Sequence, residues 1–146
     1  MTELVKVHFR LEQDDDGYPP ASVESLWATP GSRAEEYVLD NIPFFARDAT
    51  IGDTIIVRRE DDLQWFDALV QHSTNSLLRA IFFIEDQVER VSQRLIDLGC
   101  SVEYMKAYKL LAINVPGDVK LASIQDYLGK EAAEGTLDYE EPILRQ

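Results

Sequence analysis

The chain has 146 residues, and its 27 acidic residues exceed its 14 basic residues to give a formal net charge of -13 at pH 7. A hydrophobic share of 45% is too high for a disordered acidic protein, so we expect this charge to lie on the surface of a folded domain. Phosphate groups bind to clusters of Lys and Arg, so an acidic surface argues against direct binding to nucleic acid or to an anionic membrane.

The N-terminus lacks the pattern of a secretory signal, because residues 1–6 contain no basic stretch followed by an apolar core. No run approaches the ~20 apolar residues that a membrane-spanning helix needs. We therefore predict a soluble, cytoplasmic protein. Cys100 has no second cysteine for an internal disulfide, and its apolar surroundings predict an inert thiol.

Residues 1–76 are predicted to form a small antiparallel, barrel-like sheet. The first strand, residues 4–11, alternates apolar and polar side chains, as expected for a strand with one buried face. Its polar positions are Lys6, His8 and Arg10. Of four further strands, the last two are joined by Glu60-Asp61-Asp62, a connection of hairpin length. These four strands cover residues 22–29, 36–39, 53–59 and 63–71.

Two segments of this half are predicted to be loops. Residues 12–20 combine three aspartates with a glycine and two prolines, a composition typical of turns. Residues 40–45 contain Pro43, which lacks a backbone donor, beside Phe44 and Phe45, which favour burial. We therefore expect the second loop to be ordered and held against the core.

Residues 77–146 show the order strand, helix, strand, strand, helix, strand. The first strand, residues 77–84, is apolar on both faces except at Arg79, as in a buried central strand. Asp86 is placed to cap the following helix, and Gly99 is placed to end it. The other elements are strands at 101–105, 109–115 and 136–141 and a second helix between residues 118 and 135.

This order of elements is the ferredoxin-like split pattern. The predicted fold class is therefore α+β, with a small antiparallel, barrel-like β half (residues 1–76) followed by a ferredoxin-like βαββαβ half (residues 77–146). No low-complexity linker separates the halves, so we expect them to pack as one compact unit.

Residues that could carry out catalysis are scarce. The chain has two histidines and one cysteine, and it lacks a nucleophile elbow and a helical pair of metal-binding histidines. Residues 12–17 match the spacing at the start of an EF-hand loop, but Val23 stands where that loop needs a bidentate glutamate. We predict no enzymatic activity, no bound metal and no cofactor.

Arg79 is the residue whose burial needs an explanation. An unpaired guanidinium inside a protein costs several kcal/mol, so we expect a carboxylate to pair with it. The candidates are Asp40, Asp53 and Asp67. Arg79, with His72 and Asn75 from the preceding loop, is also a candidate lining of a small-ligand pocket, and a hydrolase that uses His72 is a further hypothesis.

Acidic residues gather in three clusters, which are candidate contacts for a basic protein partner. Negative charge speeds the encounter with a basic surface, and Tyr139, on an acidic strand that we expect to be exposed, offers area to bury. Solvated charges that prevent aggregation of a strand edge account for the clusters equally well. The candidate residues are Asp14, Asp15, Asp16, Glu60, Asp61, Asp62, Asp138, Tyr139, Glu140 and Glu141.

Several segments of the chain are distinctive in combination. The most specific is residues 40–46, Asp-Asn-Ile-Pro-Phe-Phe-Ala. The others are Gly17-Tyr18-Pro19-Pro20, Ser22-Val23-Glu24, Leu26-Trp27, Gly52-Asp53, Ser76 with Arg79, Leu98-Gly99-Cys100 and Asp138-Tyr139-Glu140-Glu141. Together they resemble a bacterial family catalogued as domain of unknown function 4265. The resemblance implies a cytoplasmic bacterial protein with no established catalytic role, so it assigns no active-site residues.

These observations predict a non-enzymatic, acidic binding protein with a basic protein partner. In size and charge the chain is similar to the immunity proteins, or antitoxins, that occlude a basic bacterial toxin or effector. The alternative is a regulatory domain for a small ligand, since ferredoxin-like units often hold metabolites at helix or sheet edges.

Overall fold

The structure, a computed structural model, describes residues 3–146. The chain divides into two compact units, with the boundary between Ser73 and Thr74. Strands make up the regular structure described for the first unit, whereas the second combines four strands with two α-helices. Among residues 3–146, every helix is too short or too polar to span a membrane.

The first unit is a closed five-stranded barrel, which confirms the barrel-like sheet predicted for this half. Its strands are β1 (Val5–Arg10), β2 (Val23–Pro30), β3 (Glu36–Leu39), β4 (Thr54–Glu60) and β5 (Leu63–Gln71). Each strand is antiparallel to the next, and β1 closes the barrel by pairing in parallel with β5. Closure gives each of these five described strands a hydrogen-bonded neighbour on both sides.

The barrel interior follows from the alternation of side chains along its strands. Val7 and Phe9 of β1 are almost completely buried, and the Phe9 ring stacks on Phe66 with 4.7 Å between ring centroids. Successive side chains of a strand point to opposite faces, so the positions between them lie on the outside of the barrel.

The turn between β4 and β5 is tighter than predicted. Glu60 pairs directly with Leu63, which leaves a two-residue turn in place of the expected three-residue connection. Asp61 and Asp62 both have positive φ angles, of 54° and 62°. Positive φ at both central positions is the type I′ geometry, whose twist matches that of the flanking strands.

The second unit is a four-stranded antiparallel sheet with two helices. Its elements are β6 (Ser76–Phe82), α1 (Val88–Asp97), β7 (Ser101–Met105), β8 (Leu110–Val115), α2 (Leu121–Ala133) and β9 (Leu137–Ile143). The strands lie in the order β7-β8-β6-β9. This order places the first and third strands of the unit in the middle of the sheet, which confirms the predicted ferredoxin-like pattern.

Apolar side chains from one face of this sheet and from both helices form the core of the second unit. β6 contributes Leu78, Ala80 and Phe82, which alternate with side chains on the opposite face. Gly99 ends α1 as predicted, because its φ of 104° is a conformation that other residues rarely adopt.

Asp86 does not cap α1, contrary to the prediction. Residues 85–87 form a 3-10 turn that runs into α1, so the residue preceding the helix is Gln87, which makes no side-chain cap. Asp86 therefore lies inside this turn, and its carboxylate accepts a hydrogen bond from the Gln87 side chain at 3.2 Å.

Candidate functional site

The first acidic cluster lies in the loop between β1 and β2, residues 12–20. The Oδ1 atom of Asp14 accepts hydrogen bonds from the backbone N–H groups of Asp16 and Tyr18, both at 2.9 Å. The backbone N–H of Asp14 donates to the Tyr18 carbonyl at 2.7 Å. The Asp14 carboxylate is therefore used to order the loop.

Asp15 and Asp16 differ from Asp14. Both residues are exposed, and neither side chain forms a hydrogen bond or ion pair within residues 3–146. Because the loop around them is ordered, their two carboxylates are held on a defined surface and remain open to a partner.

The second cluster is the turn between β4 and β5. The Oε2 atom of Glu60 lies 3.4 Å from Arg58 Nη2, and its Oε1 atom lies 3.8 Å from Arg10 Nη2. Exposed ion pairs of this kind contribute ~0–1 kcal/mol each. Asp61 and Asp62 are exposed, and their carboxylates have no partner in the described part of the chain.

The third cluster, on β9, is only partly available to a partner. The prediction that Tyr139 is an exposed aromatic anchor is wrong, because its side chain is half-buried against the core beneath the helices. The cause is strand alternation, which places Tyr139 on the same face as buried Leu137. Glu141 accepts a hydrogen bond from Gln125 of α2 at 3.0 Å. Asp138 stays exposed, and its Oδ1 atom accepts the Tyr139 N–H at 2.9 Å.

Glu140 of the same cluster pairs with Arg79. The two residues stand opposite each other on β9 and β6, and Arg79 Nη1 lies 3.5 Å from Glu140 Oε1. Only 2% of the Arg79 side chain is exposed. The expected carboxylate partner is therefore present, but Glu140 lies outside the three candidates predicted from the sequence. Glu140 therefore stabilises the fold by neutralising a buried guanidinium.

His72 and Asn75 lie in the connection between β5 and β6. The His72 side chain is exposed, and its Nδ1 atom lies 2.9 Å from the carbonyl oxygen of Ser73. A ligand pocket lined by His72, Asn75 and Arg79 stays a prediction. Within residues 3–146, no three His, Cys, Asp or Glu side chains are grouped so that they could hold a metal ion.

Cys100 follows Gly99 after α1 and is 6% exposed. Burial raises the pKa of its thiol to about 11. The thiolate, which is the reactive form, is therefore scarce at neutral pH, in agreement with the inert thiol predicted from the sequence.

Glu24 has a structural role that the sequence prediction missed. Its carboxylate accepts three backbone N–H groups of the loop between β3 and β4, those of Phe44 (2.6 Å), Phe45 (3.0 Å) and Ala46 (2.8 Å). Glu24 is 9% exposed and lies on the inward face of β2 with Leu26. The sequence could have indicated this role, because alternation along β2 places residue 24 on the buried face.

Two further polar side chains order the same part of the barrel. Asn41 Oδ1 accepts the backbone N–H of Trp27 at 2.6 Å. Asp53 is fully buried, and its carboxylate accepts the N–H of Thr50 at 2.9 Å and that of Ser73 at 2.8 Å. Asn41 and Asp53 therefore satisfy backbone donors that have no partner in the sheet ladder.

In the second unit, Glu131 of α2 pairs with Arg90 of α1. The guanidinium donates two hydrogen bonds to the carboxylate, at 2.7 and 2.9 Å. These bonds lower the pKa of Glu131 to about 2, against the opposing effect of burial. Arg90 also lines an open cleft of about 490 Å³ with Arg94 and Tyr127, but its charge is already neutralised by Glu131.

Comparison with known proteins identifies the family. The family model described as "Domain of unknown function (DUF4265)" matches residues 24–139, most of the chain. The chain belongs to this family. The match confirms the resemblance noted from the sequence, and it covers both Glu24 and the segment at residues 40–46.

A crystal structure of a hypothetical protein from Neisseria gonorrhoeae is similar to the whole chain. It aligns with 97% of this chain and 95% of its own, with a TM-score of 0.72 and 17% sequence identity. At this identity the likeness shows a shared fold. A search of curated proteins finds no match.

Proposed function

We propose that this protein is a non-enzymatic binding protein of the bacterial cytoplasm, an immunity or antitoxin-type inhibitor that occludes a basic toxin or effector. The observation that carries the proposal is a division among its carboxylates. One group holds loops or neutralises arginines, and it comprises Asp14, Glu24, Asp53, Glu131 and Glu140. Among the predicted contact residues, the other group is exposed and without a partner in residues 3–146, and it comprises Asp15, Asp16, Asp61 and Asp62, here called the unpartnered aspartates.

The turn at Asp61 and Asp62 supports this proposal. Both residues have positive φ, a conformation in which the pair Asn-Gly is favoured. Two adjacent carboxylates also repel each other. The choice of two aspartates therefore lowers the stability of this turn. Binding of a partner by the two carboxylates explains why they are present.

The net charge of -13 supports a basic partner for a kinetic reason. Complementary charge raises association rates from ~10⁵–10⁶ to as much as ~10⁸–10⁹ M⁻¹s⁻¹ at low salt. An inhibitor that must bind a toxin before the toxin acts benefits from such an increase. Carboxylates on ordered loops also lose little conformational freedom when they bind.

The test uses the protein encoded by a neighbouring gene, mixed with the full chain and studied by titration calorimetry at low and physiological salt. We expect binding that weakens as salt is added, because screening acts beyond ~8 Å at physiological ionic strength. In the variant D15N/D16N/D61N/D62N, four charges are removed with little change of shape. We expect its affinity to fall by at least roughly tenfold.

The matched control removes four exposed charges from the second unit, as E89Q/D118N/D126N/E134Q. This control has the same net charge as the first variant, so it separates a local contact from a general effect of charge. Equal losses in both variants contradict a defined docking surface. Absence of binding, or binding that salt does not change, contradicts the proposed function itself.

A further inference from the structure

The outer face of β1 carries a row of basic residues, although the chain has a net charge of -13. Lys6, His8 and Arg10, here called the basic row, occupy alternate positions of the strand and so lie on one face. Lys6 and Arg10 are exposed, and His8 is half-buried. Alternate residues of a strand are ~6.6–6.8 Å apart, so the row is about 13 Å long.

Both tryptophans of the chain flank the basic row. Lys6 pairs with Trp27 across the ladder, and its Nζ atom lies 5.1 Å from the centre of the Trp27 ring. The guanidinium of Arg10 lies 4.2 Å from the centre of the Trp65 ring. Attraction between a cation and an indole face restricts the cation, so both ends of the row are held in place before any ligand binds.

His8 completes the row between the two cations. Its Nδ1 atom lies 2.6 Å from Ser25 Oγ, and its ring lies 5.4 Å from that of Trp65 between centroids. These contacts fix the ring, and the Nε2 atom has no hydrogen-bond partner among residues 3–146. Nε2 is therefore the nitrogen through which His8 can meet a ligand.

We propose that the basic row binds an extended acidic segment of a protein partner, with carboxylates at every second residue. An extended peptide repeats its side chains at the same spacing as β1, so three such carboxylates match Lys6, His8 and Arg10 one for one. This surface is separate from the unpartnered aspartates, and its ligand has the opposite charge to the basic partner proposed above.

A peptide fits this surface better than a single-stranded nucleic acid does. Proteins bind single strands by stacking bases on exposed aromatic faces. Here one face of Trp27 is covered by Lys6 and one face of Trp65 by Arg10, which leaves less aromatic surface for stacking. The net charge of -13 also repels a long polyanion more strongly than a short segment with three charges.

Glu60 provides an internal test, because it competes with the ligand. Its carboxylate lies 3.8 Å from Arg10, in an exposed ion pair. An acidic segment that binds Arg10 must displace it. The substitution E60Q should therefore strengthen binding of the acidic segment, whereas removal of a negative charge cannot strengthen binding of a basic partner.

The experiment titrates the full chain with two peptides of identical composition, acetyl-Glu-Ser-Glu-Ser-Glu-amide and acetyl-Glu-Glu-Glu-Ser-Ser-amide. Intrinsic tryptophan fluorescence reports on the surface directly, because both tryptophans of the chain flank it. We expect the alternating peptide to change the emission and to bind roughly threefold to tenfold more tightly than its isomer. Oligothymidylate of eight nucleotides is the probe for the nucleic-acid alternative.

The variant K6Q/R10Q should weaken binding of the alternating peptide by at least roughly tenfold, and E60Q should strengthen it by roughly twofold to fivefold. The control K106Q/K120Q removes two exposed positive charges from the second unit and should bind like the wild type. Circular dichroism checks that each variant is folded.

Three results overturn the proposal. They are equal affinity for the two peptides, unchanged affinity in K6Q/R10Q, and tighter binding of the oligonucleotide than of either peptide. None of them bears on the unpartnered aspartates, so this inference and the proposed function fail independently.

Discussion

The two units use the carboxylates that stabilise their folds in different ways. In the barrel, Glu24 and Asp53 accept backbone N–H groups of loops. In the second unit, Glu131 and Glu140 pair with arginines. The barrel has long connections whose backbone donors lie outside any ladder, whereas the sheet of the second unit contains a buried guanidinium at Arg79. The role of such a carboxylate is thus set by the donor that the surrounding chain leaves unsatisfied.

The strongest test of this comparison is at Glu24. The substitution E24Q leaves a side chain of nearly the same shape but replaces one acceptor oxygen with a donor, facing three backbone N–H groups. We expect a loss of about 3 kcal/mol in the free energy of unfolding, measured by urea denaturation.

The matched control for this change is E12Q, at an exposed glutamate of the first acidic loop. It should change stability by less than about 0.5 kcal/mol. A loss in E24Q no larger than that in E12Q means that the loop at residues 42–46 is ordered without Glu24, and the comparison between the two units then fails for the barrel.

The second test concerns Glu131 and its dependence on pH. The folded pKa of about 2 lies below the ordinary value of 4.5, so the pair stabilises the fold above about pH 4.5. This contribution is lost as the pH falls from about 4.5 toward 2. Because Arg90 is half-exposed and screened by solvent, we expect about 2 kcal/mol at neutral pH.

In E131Q the unfolding free energy should be lower at pH 7, and its decline between pH 4.5 and 2 should be shallower than that of the wild type. Urea denaturation across this range measures both effects. The single variant R90Q and the double variant E131Q/R90Q separate this pairing from other roles of Glu131. The loss of unfolding free energy in the double variant should be smaller than the sum of the losses in the two single variants. Additive losses contradict the pairing.

The smallest expected effect is a gain, at the turn between β4 and β5. The substitutions D61N and D62G together supply the residues that a type I′ turn favours and remove two adjacent charges. We expect the barrel to gain roughly 1 kcal/mol in thermal or urea denaturation. The control D15N/D16N removes two adjacent charges without relieving a positive φ, so it should gain less. A loss of stability in D61N/D62G would mean that these two aspartates stabilise the fold.

Local sequence patterns were sufficient to predict most of the architecture. Alternation predicted β1, and the glycine after α1 predicted the end of that helix. The turn at Asp61 and Asp62 was predicted one residue too long, because charged pairs there are unusual and resemble part of a longer loop. The predicted capping role of Asp86 was wrong, because a 3-10 turn leads into α1 and Asp86 lies within that turn.

Contacts between distant residues could not be read from the sequence. The pairing of Arg79 with Glu140 depends on the register of two strands that lie about 60 residues apart. The basic row was visible in the alternation of β1, but the approach of Trp65 depends on the parallel pairing that closes the barrel. Glu24 was detectable from its inward position, yet a glutamate is so often exposed that composition favours the opposite prediction.

The central claim is that the carboxylates used for folding and those available to a partner are separate sets. It is tested most directly by measuring two properties of D15N/D16N/D61N/D62N side by side, the unfolding free energy and the affinity for the protein encoded by the neighbouring gene. The account predicts stability equal to or above that of the wild type, with affinity lower by at least roughly tenfold. A variant that binds normally but is clearly less stable contradicts it.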